Sequence, residues 1–182
     1  MARPSVRIEI KNLGGARALF AKVRSLGEDP QELLEIAGGI LEASTRRRFD
    51  EGEGPGGIPW PISKRAQKQG GKTLVDKGLL LGSIRYEVRP GQLEIGVDGL
   101  SESAKNAKSH QFGVNGLFPI GAHTRTINEA FGIPLPSPRV VNVKAHNRNM
   151  RIPARPFLGV DEIDRQDVKD EWKQHLRRLI ND

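Results

Sequence analysis

Four histidines, His110, His123, His146 and His175, are the residues of this 182-residue chain best suited to acid–base or metal chemistry. None has a second histidine or a carboxylate at the helical or tight-loop spacing that offers two ligands to one ion. His123 and His146 stand in a proline-dotted region with Asn142, Asn147 and Asn149. That combination would suit a one-metal nuclease if an acidic ligand set accompanied it. None does, and a polar surface loop is the simpler reading. The chain has no cysteine, which excludes disulfides and thiolate metal sites.

Nucleophilic catalysis needs a hydroxyl with a base and an orienting acid beside it. No G-x-S-x-G turn occurs. "GEGPGG" (Gly52–Gly57) has the glycine content of a phosphate loop but lacks the Gly-Lys-Ser/Thr ending, and it follows a helix where a P-loop precedes one. The acidic pairs Asp161/Glu162 and Asp170/Glu171 alternate with bases and read as a solvated helix face. The sequence therefore predicts no enzymatic activity, no metal and no cofactor.

Basic residues carry a stronger signal. Net charge is +7 and the pI about 10.0, which points to nucleic acid or another anionic partner. "TRRRF" (Thr45–Phe49) and "SKRAQKQGGK" (Ser63–Lys72) could contact phosphates through Arg46, Arg47, Arg48, Lys64, Arg65 and Lys68. From Arg139 to Phe157 the chain has Arg139, Lys144, Arg148, Arg151 and Arg155 and no acid. No RNA-binding aromatic signature accompanies these patches, so any contact would be independent of base sequence.

The elements that position these residues follow from periodicity. "VRIEI" (Val6–Ile10) alternates as a strand. Leu19, Phe20, Val23 and Leu26 mark a short helix. Asp29 as cap and Pro30 at the first helical position open a longer helix over Pro30–Phe49, with Leu33, Ala37, Ile40, Leu41 and Ser44 on one face. Gly38-Gly39 inside it costs about 1–2 kcal/mol of helix propensity, which calls for a close neighbour there. Residues 50–75 read as a Gly/Pro-rich basic loop. Ile84, Tyr86 and Val88 alternate against Leu93, Ile95 and Val97 around a Pro90-Gly91 turn, a hairpin. Ser101–Gly113 is a short helix stopped by glycine, and 114–149 an irregular insertion or arm with "RVVNVKAH" as a strand. In "RIPARPFLGV" (Arg151–Val160) prolines stiffen the chain, Phe157 and Leu158 point to the core, Gly159 allows a sharp entry to the last helix, and Arg155 is held outward. Residues 160–182 form that helix through Val168, Trp172, Leu176 and Leu179, with leading acids and trailing bases that match its dipole. The predicted architecture is one α+β domain over 1–182, an antiparallel sheet packed against a long N-terminal and a C-terminal helix, with long Gly/Pro-rich loops. No apolar run reaches the roughly 20 residues that span a bilayer, and "MARPSVRIEIKNL" lacks the apolar stretch of a signal peptide.

Several stretches together resemble one family. "STRRRFDEGEGPGGIPWPIS" resembles its helix end and Gly-Pro-x-Gly-x-Pro-Trp loop, "TLVDKGLLLGSIRYEV…LEIGV" its turn and hairpin, and "SHQFG" and "IPARPFLGV" two short signatures. The family is the phage virion morphogenesis, or tail completion, proteins of Mu-like and P2-like bacteriophages and prophages. Lys77-Gly78 stands where relatives commonly have Thr-Gly, and 114–149 is longer than usual. The resemblance implies a non-enzymatic virion protein, made in the host bacterial cytoplasm, that completes the head-proximal end of the tail. It would form part of the neck as a ring, expected to be six-fold, around the DNA channel. Its partners would be its own copies, other neck, connector and tail-tube proteins, and the double-stranded DNA in the lumen, with no membrane. On that reading Trp60, Phe112, Phe118, Phe131, Arg155 and Phe157 are the subunit-interface candidates. Arg46, Arg47, Arg48, Lys64, Arg65, Lys68, Lys144 and Arg148 are those for DNA or an acidic partner. A basic nucleic-acid-binding protein of another kind, a packaging or regulatory factor, is the rival reading, and a metal-dependent nuclease a third.

Overall fold

The computed structural model describes residues 6–9, 16–25, 27, 29–98 and 102–181. Ile10, Leu26 and Ser101, expected in the first strand, the first helix and the helix before Gly113, lie outside them. The described chain opens with strand β1 (Val6–Glu9) and helix α1 (Ala16–Ser25). Helix α2 (Gln31–Glu51) follows. Asp29 starts it by accepting the Gln31 N–H at 2.9 Å on its carboxylate. Gly52, at φ 77°, ends it by donating its N–H to the Arg48 carbonyl.

Residues 50–75, expected as a loop, hold short elements. β2 (Glu53–Gly54) pairs with β3 (Ile58–Pro59), and helix α3 (Lys64–Gln69) is capped by the Ser63 hydroxyl, which accepts the Ala66 N–H at 3.1 Å. After the single-turn helix α4 (Leu79–Gly82) come β4 (Ile84–Arg89) and β5 (Gln92–Val97), joined through Pro90-Gly91. Their register sets Ile84 opposite Val97, Tyr86 opposite Ile95 and Val88 opposite Leu93, as the alternation predicts. β1 adds antiparallel to the other edge of β5, giving the order β1-β5-β4.

α2 lies on this sheet, and Gly38 faces the Tyr86 ring of β4. A Cβ at Gly38 would overlap the Tyr86 ring, whereas one at Gly39 would meet open space. The glycine pair thus splits into one position fixed by packing and one that is not. On its far side α2 packs against the last helix, α6 (Glu162–Asn181). There Trp172 donates its indole N–H to the Leu33 carbonyl at 2.7 Å and meets Phe20 of α1 at a centroid distance of 6.0 Å. Leu33, Ala37, Leu41 and Phe49, with Ile84, Leu93, Ile95, Val97, Phe157, Val168 and Trp172, form the core. The fold is α+β.

The chain divides into two compact units: Met1–Gly113 with Pro153–Asp182, and Val114–Ile152. The first ends before the insertion with α5 (Glu102–Phe112), stopped at Gly113 with φ 73°. The second is not irregular. β6 (Val114–Ile120) pairs with β9 (His146–Ile152), and β7 (His123–Ala130) with β8 (Ile133–Val143), all antiparallel. Beyond the pair Ile120–His146, two residues intervene on each side before His123–Val143, so the register carries through without a slip. The unit is one long β-hairpin, about 55 Å along its strands at ~3.3 Å per residue. It turns at Phe131-Gly132, where both residues have positive φ (55° and 79°) and Ala130 pairs with Ile133, the pattern of a type I′ turn. Pro134, Pro136 and Pro138 crowd β8 where the register shifts, because proline cannot donate to a ladder. No residue from Val114 to Ile152 is buried.

Candidate functional site

Three sequence stretches far apart in the chain, 48–61, 110–111 and 153–164, meet around "ARPFLGV". Phe157 and Leu158 reach the core as predicted, and the chain that carries them is held by side chains on both sides. The amide oxygen of Gln111 accepts the N–H groups of Phe157 and Leu158 at 3.0 and 3.1 Å, and its NH2 donates to the Leu158 carbonyl at 2.8 Å. The Arg155 N–H donates to the His110 carbonyl at 2.7 Å. From the other side the Trp60 indole donates to the Pro156 carbonyl at 2.8 Å, and a Cβ at Gly54 would sit 2.6 Å from that same oxygen. Gly159 is required for close approach: a Cβ there would overlap the Pro55 ring.

Arg48 closes the assembly. Its guanidinium donates to the Gly159 carbonyl at 2.8 Å, to Asp161 at 3.1 Å and to Asp164 at 2.5 Å. Asp161 and Asp164 also cap α6 reciprocally, each carboxylate accepting the other's N–H at 3.0 Å. Ser44 donates to the second oxygen of Asp164, and the Gly56 N–H to Asp161 at 3.0 Å. Both Arg48 and Asp164 are buried, so their charges need these partners. Burial pushes the Asp161 carboxyl up, but the N–H groups of Asp164 and Gly56 and the Arg48 charge outweigh it and hold it below the ordinary value. Burial, then the Arg155 charge, push the His110 imidazole down. A node so bonded fixes the last helix on α2 and ties together the two segments that flank the hairpin in sequence.

Four of the predicted contact residues belong to this node and are therefore turned inward. Arg48, expected to face phosphate, is 3% exposed because Asp164 and Asp161 draw it in. Trp60, expected at a loop tip, is 5% exposed, packed edge-on against Phe49 at 5.3 Å. Phe157 is fully buried against the same ring. Arg155, expected to point outward, is buried and donates its Nε–H to the Pro61 carbonyl at 2.7 Å. Among the remaining bases, Arg46 pairs with Glu42 at 2.9 Å, Arg47 is exposed 3.8 Å from Glu51, and Arg65 braces its loop through the carbonyls of Lys72 and Val75. Lys64, Lys68, Lys144 and Arg148 are exposed. So are Phe112, Phe118 and Phe131, two of them on the hairpin.

Sequence reasoning missed Gln111, Asp161 and Asp164 as partners of the proline segment. Their signal is present in hindsight: a glutamine in "SHQFG", and an acid pair three apart at a helix start. His123 and His146 lie exposed on the hairpin, each ring bonded to the carbonyl two residues before it, Gly121 and Lys144. Among the described residues no group of three or more His, Asp or Glu could hold a metal ion, and no helix is long and apolar enough to cross a membrane.

Residues 12–177 match the phage virion morphogenesis family, and the chain belongs to it. No curated protein and no solved structure matches the chain.

Proposed function

We propose that this member of the phage virion morphogenesis family completes the head-proximal end of the tail, as a subunit of a ring at the head–tail junction around the DNA channel. Family membership across residues 12–177 carries the reading. The fold is consistent with it. A body whose last helix is locked by Arg48 and Gln111 supplies a rigid ring segment, and the hairpin supplies surface for neighbours. A ring interface is heterologous and closes by rotation, so each modest contact is repeated around the circle. Among the body's candidate bases Arg46, Arg47, Arg48, Lys64, Arg65 and Lys68, the exposed ones are Arg47, Lys64 and Lys68, and these are the candidates for weak, salt-sensitive contact with lumenal DNA.

Electron microscopy of the purified protein, and of virions carrying a label on its C-terminus, tests this. Closed rings and label at the neck are expected. Label on the head shell or the distal tail would refute the position. Tight, sequence-selective duplex binding by a monomer would favour the regulatory alternative.

A further inference from the structure

We infer that the hairpin Val114–Ile152 of one copy docks in the groove between α2 and α6 of a second copy, with Phe131 as its apolar anchor. This deepens the ring reading and rests on it, by naming the element that crosses between subunits and the surface that receives it.

The hairpin needs a partner. A lone two-stranded ribbon is marginally stable in water, and this one buries no residue within the chain while leaving Leu117, Ile133 and Val140 about 70% exposed. Phe131 is the sharpest case. Its φ of 55° is a conformation that costs a bulky residue about 1–2 kcal/mol, at a turn position where asparagine or glycine would be free of strain. Its side chain is also fully exposed. A residue that is strained and solvated at once gains nothing in its own chain, so contact from outside must supply the compensation.

Charge selects the receptor. The hairpin carries Arg125, Arg139, Lys144, Arg148 and Arg151 against Glu129 as its single acid. Pairing of Ile127 with Arg139 puts Arg139 on the same ribbon face as Arg125. The α2–α6 groove, with a volume of about 510 Å³, is lined by Ile40, Ala43 and Arg47 of α2 and by Asp167, Asp170 and Glu171 of α6, three acids against one base. Asp170 and Glu171 form surface pairs with Lys173 and Arg178 at 2.8 and 3.0 Å, which incoming arginines exchange at little cost. Duplex DNA would also attract the bases, but it offers no apolar seat for Phe131. Hairpin and groove are present on every copy, so the contact propagates head to tail and can close a ring.

The absence of cysteine makes the test clean. Full-length Ile133→Cys and Ala43→Cys proteins, mixed and oxidised, should give a disulfide-linked dimer that neither gives alone. Phe131→Ala should weaken self-association about 30-fold in sedimentation, the loss of one hot-spot side chain. Asp167→Lys with Asp170→Lys should abolish association, and Arg125→Asp with Arg139→Asp in the other copy should restore it. Circular dichroism checks that each variant is folded. No mixed disulfide, unchanged association of Phe131→Ala, or a monomer at every concentration would overturn the inference. So would hairpin-dependent capture of duplex DNA with association untouched by Phe131→Ala. Rings that form without the cross-link would sink the docking mode and leave the ring reading standing; a cross-link in a protein absent from the neck would do the reverse.

Discussion

Gln111 satisfies both backbone polar groups of Leu158, accepting its N–H at 3.1 Å and donating to its carbonyl at 2.8 Å across 47 residues of sequence. The span between them holds the whole hairpin. One side chain thereby fixes where the chain returns to the body, and the apolar pair Phe157-Leu158 enters the core from a set position.

Truncating that side chain orphans three buried backbone groups. Gln111→Ala should cost about 3 kcal/mol, taking roughly 1–3 for each unsatisfied group with partial relief by water. Urea unfolding of the two proteins measures it. A loss below about 1 kcal/mol would mean that the amide is not holding the segment.

Arg48 and Arg47 are neighbours in sequence with opposite roles. Arg48→Ala leaves Asp164 buried and unpaired and should lose about 3–5 kcal/mol. Arg47→Ala, at an exposed site, should stay within about 0.5 kcal/mol. Equal effects in thermal melts would contradict the assignment. Of the three consecutive arginines, Arg47 is therefore the one to neutralise when testing DNA retention without disturbing the fold, since Arg46 also donates to the Ile84 carbonyl at 3.2 Å.

The two glycines of α2 make a paired prediction. Gly38→Ala drives a methyl into the Tyr86 ring and should destabilise by about 1–3 kcal/mol. Gly39→Ala meets open space and should stabilise by up to about 1 kcal/mol through helix propensity. Opposite signs in denaturant midpoints are expected; the same sign for both would remove the close-packing account.

Asp161 sets part of the acid response. Its carboxyl lies below the ordinary value in the folded state, so the unfolded chain takes up the proton first as pH falls. The stability it contributes is complete above about pH 4 and is lost as pH drops through the lower folded value. Asp161→Asn should be less stable than the parent at pH 7, and the gap between the two should narrow as the pH falls through the lowered folded value. Parallel stability curves down to acid pH would show that Asp161 is not the group responsible.

The legible parts of this fold were those set by local period and turn chemistry. The β4–β5 register follows from alternation around Pro90-Gly91, and the burial of Phe157 and Leu158 from their place between a stiff proline segment and a helix. Arg48 could not be told from Arg46 and Arg47, because what turns it inward is Asp164, 116 residues later. Arg155 and Trp60 misled for the same reason: their partners are backbone carbonyls of distant segments, which carry no side-chain signature. The hairpin was hidden by its own composition. Prolines and glycines break the alternation that marks a strand, and with no buried face there is no apolar periodicity to read.

The proposed role stands most directly on the particles made when this gene is inactivated in its phage. Filled heads and full-length tails that fail to join, with joining restored by the wild-type protein supplied in trans, are the result the account predicts. Joined, infectious particles formed at normal yield without it would contradict the account.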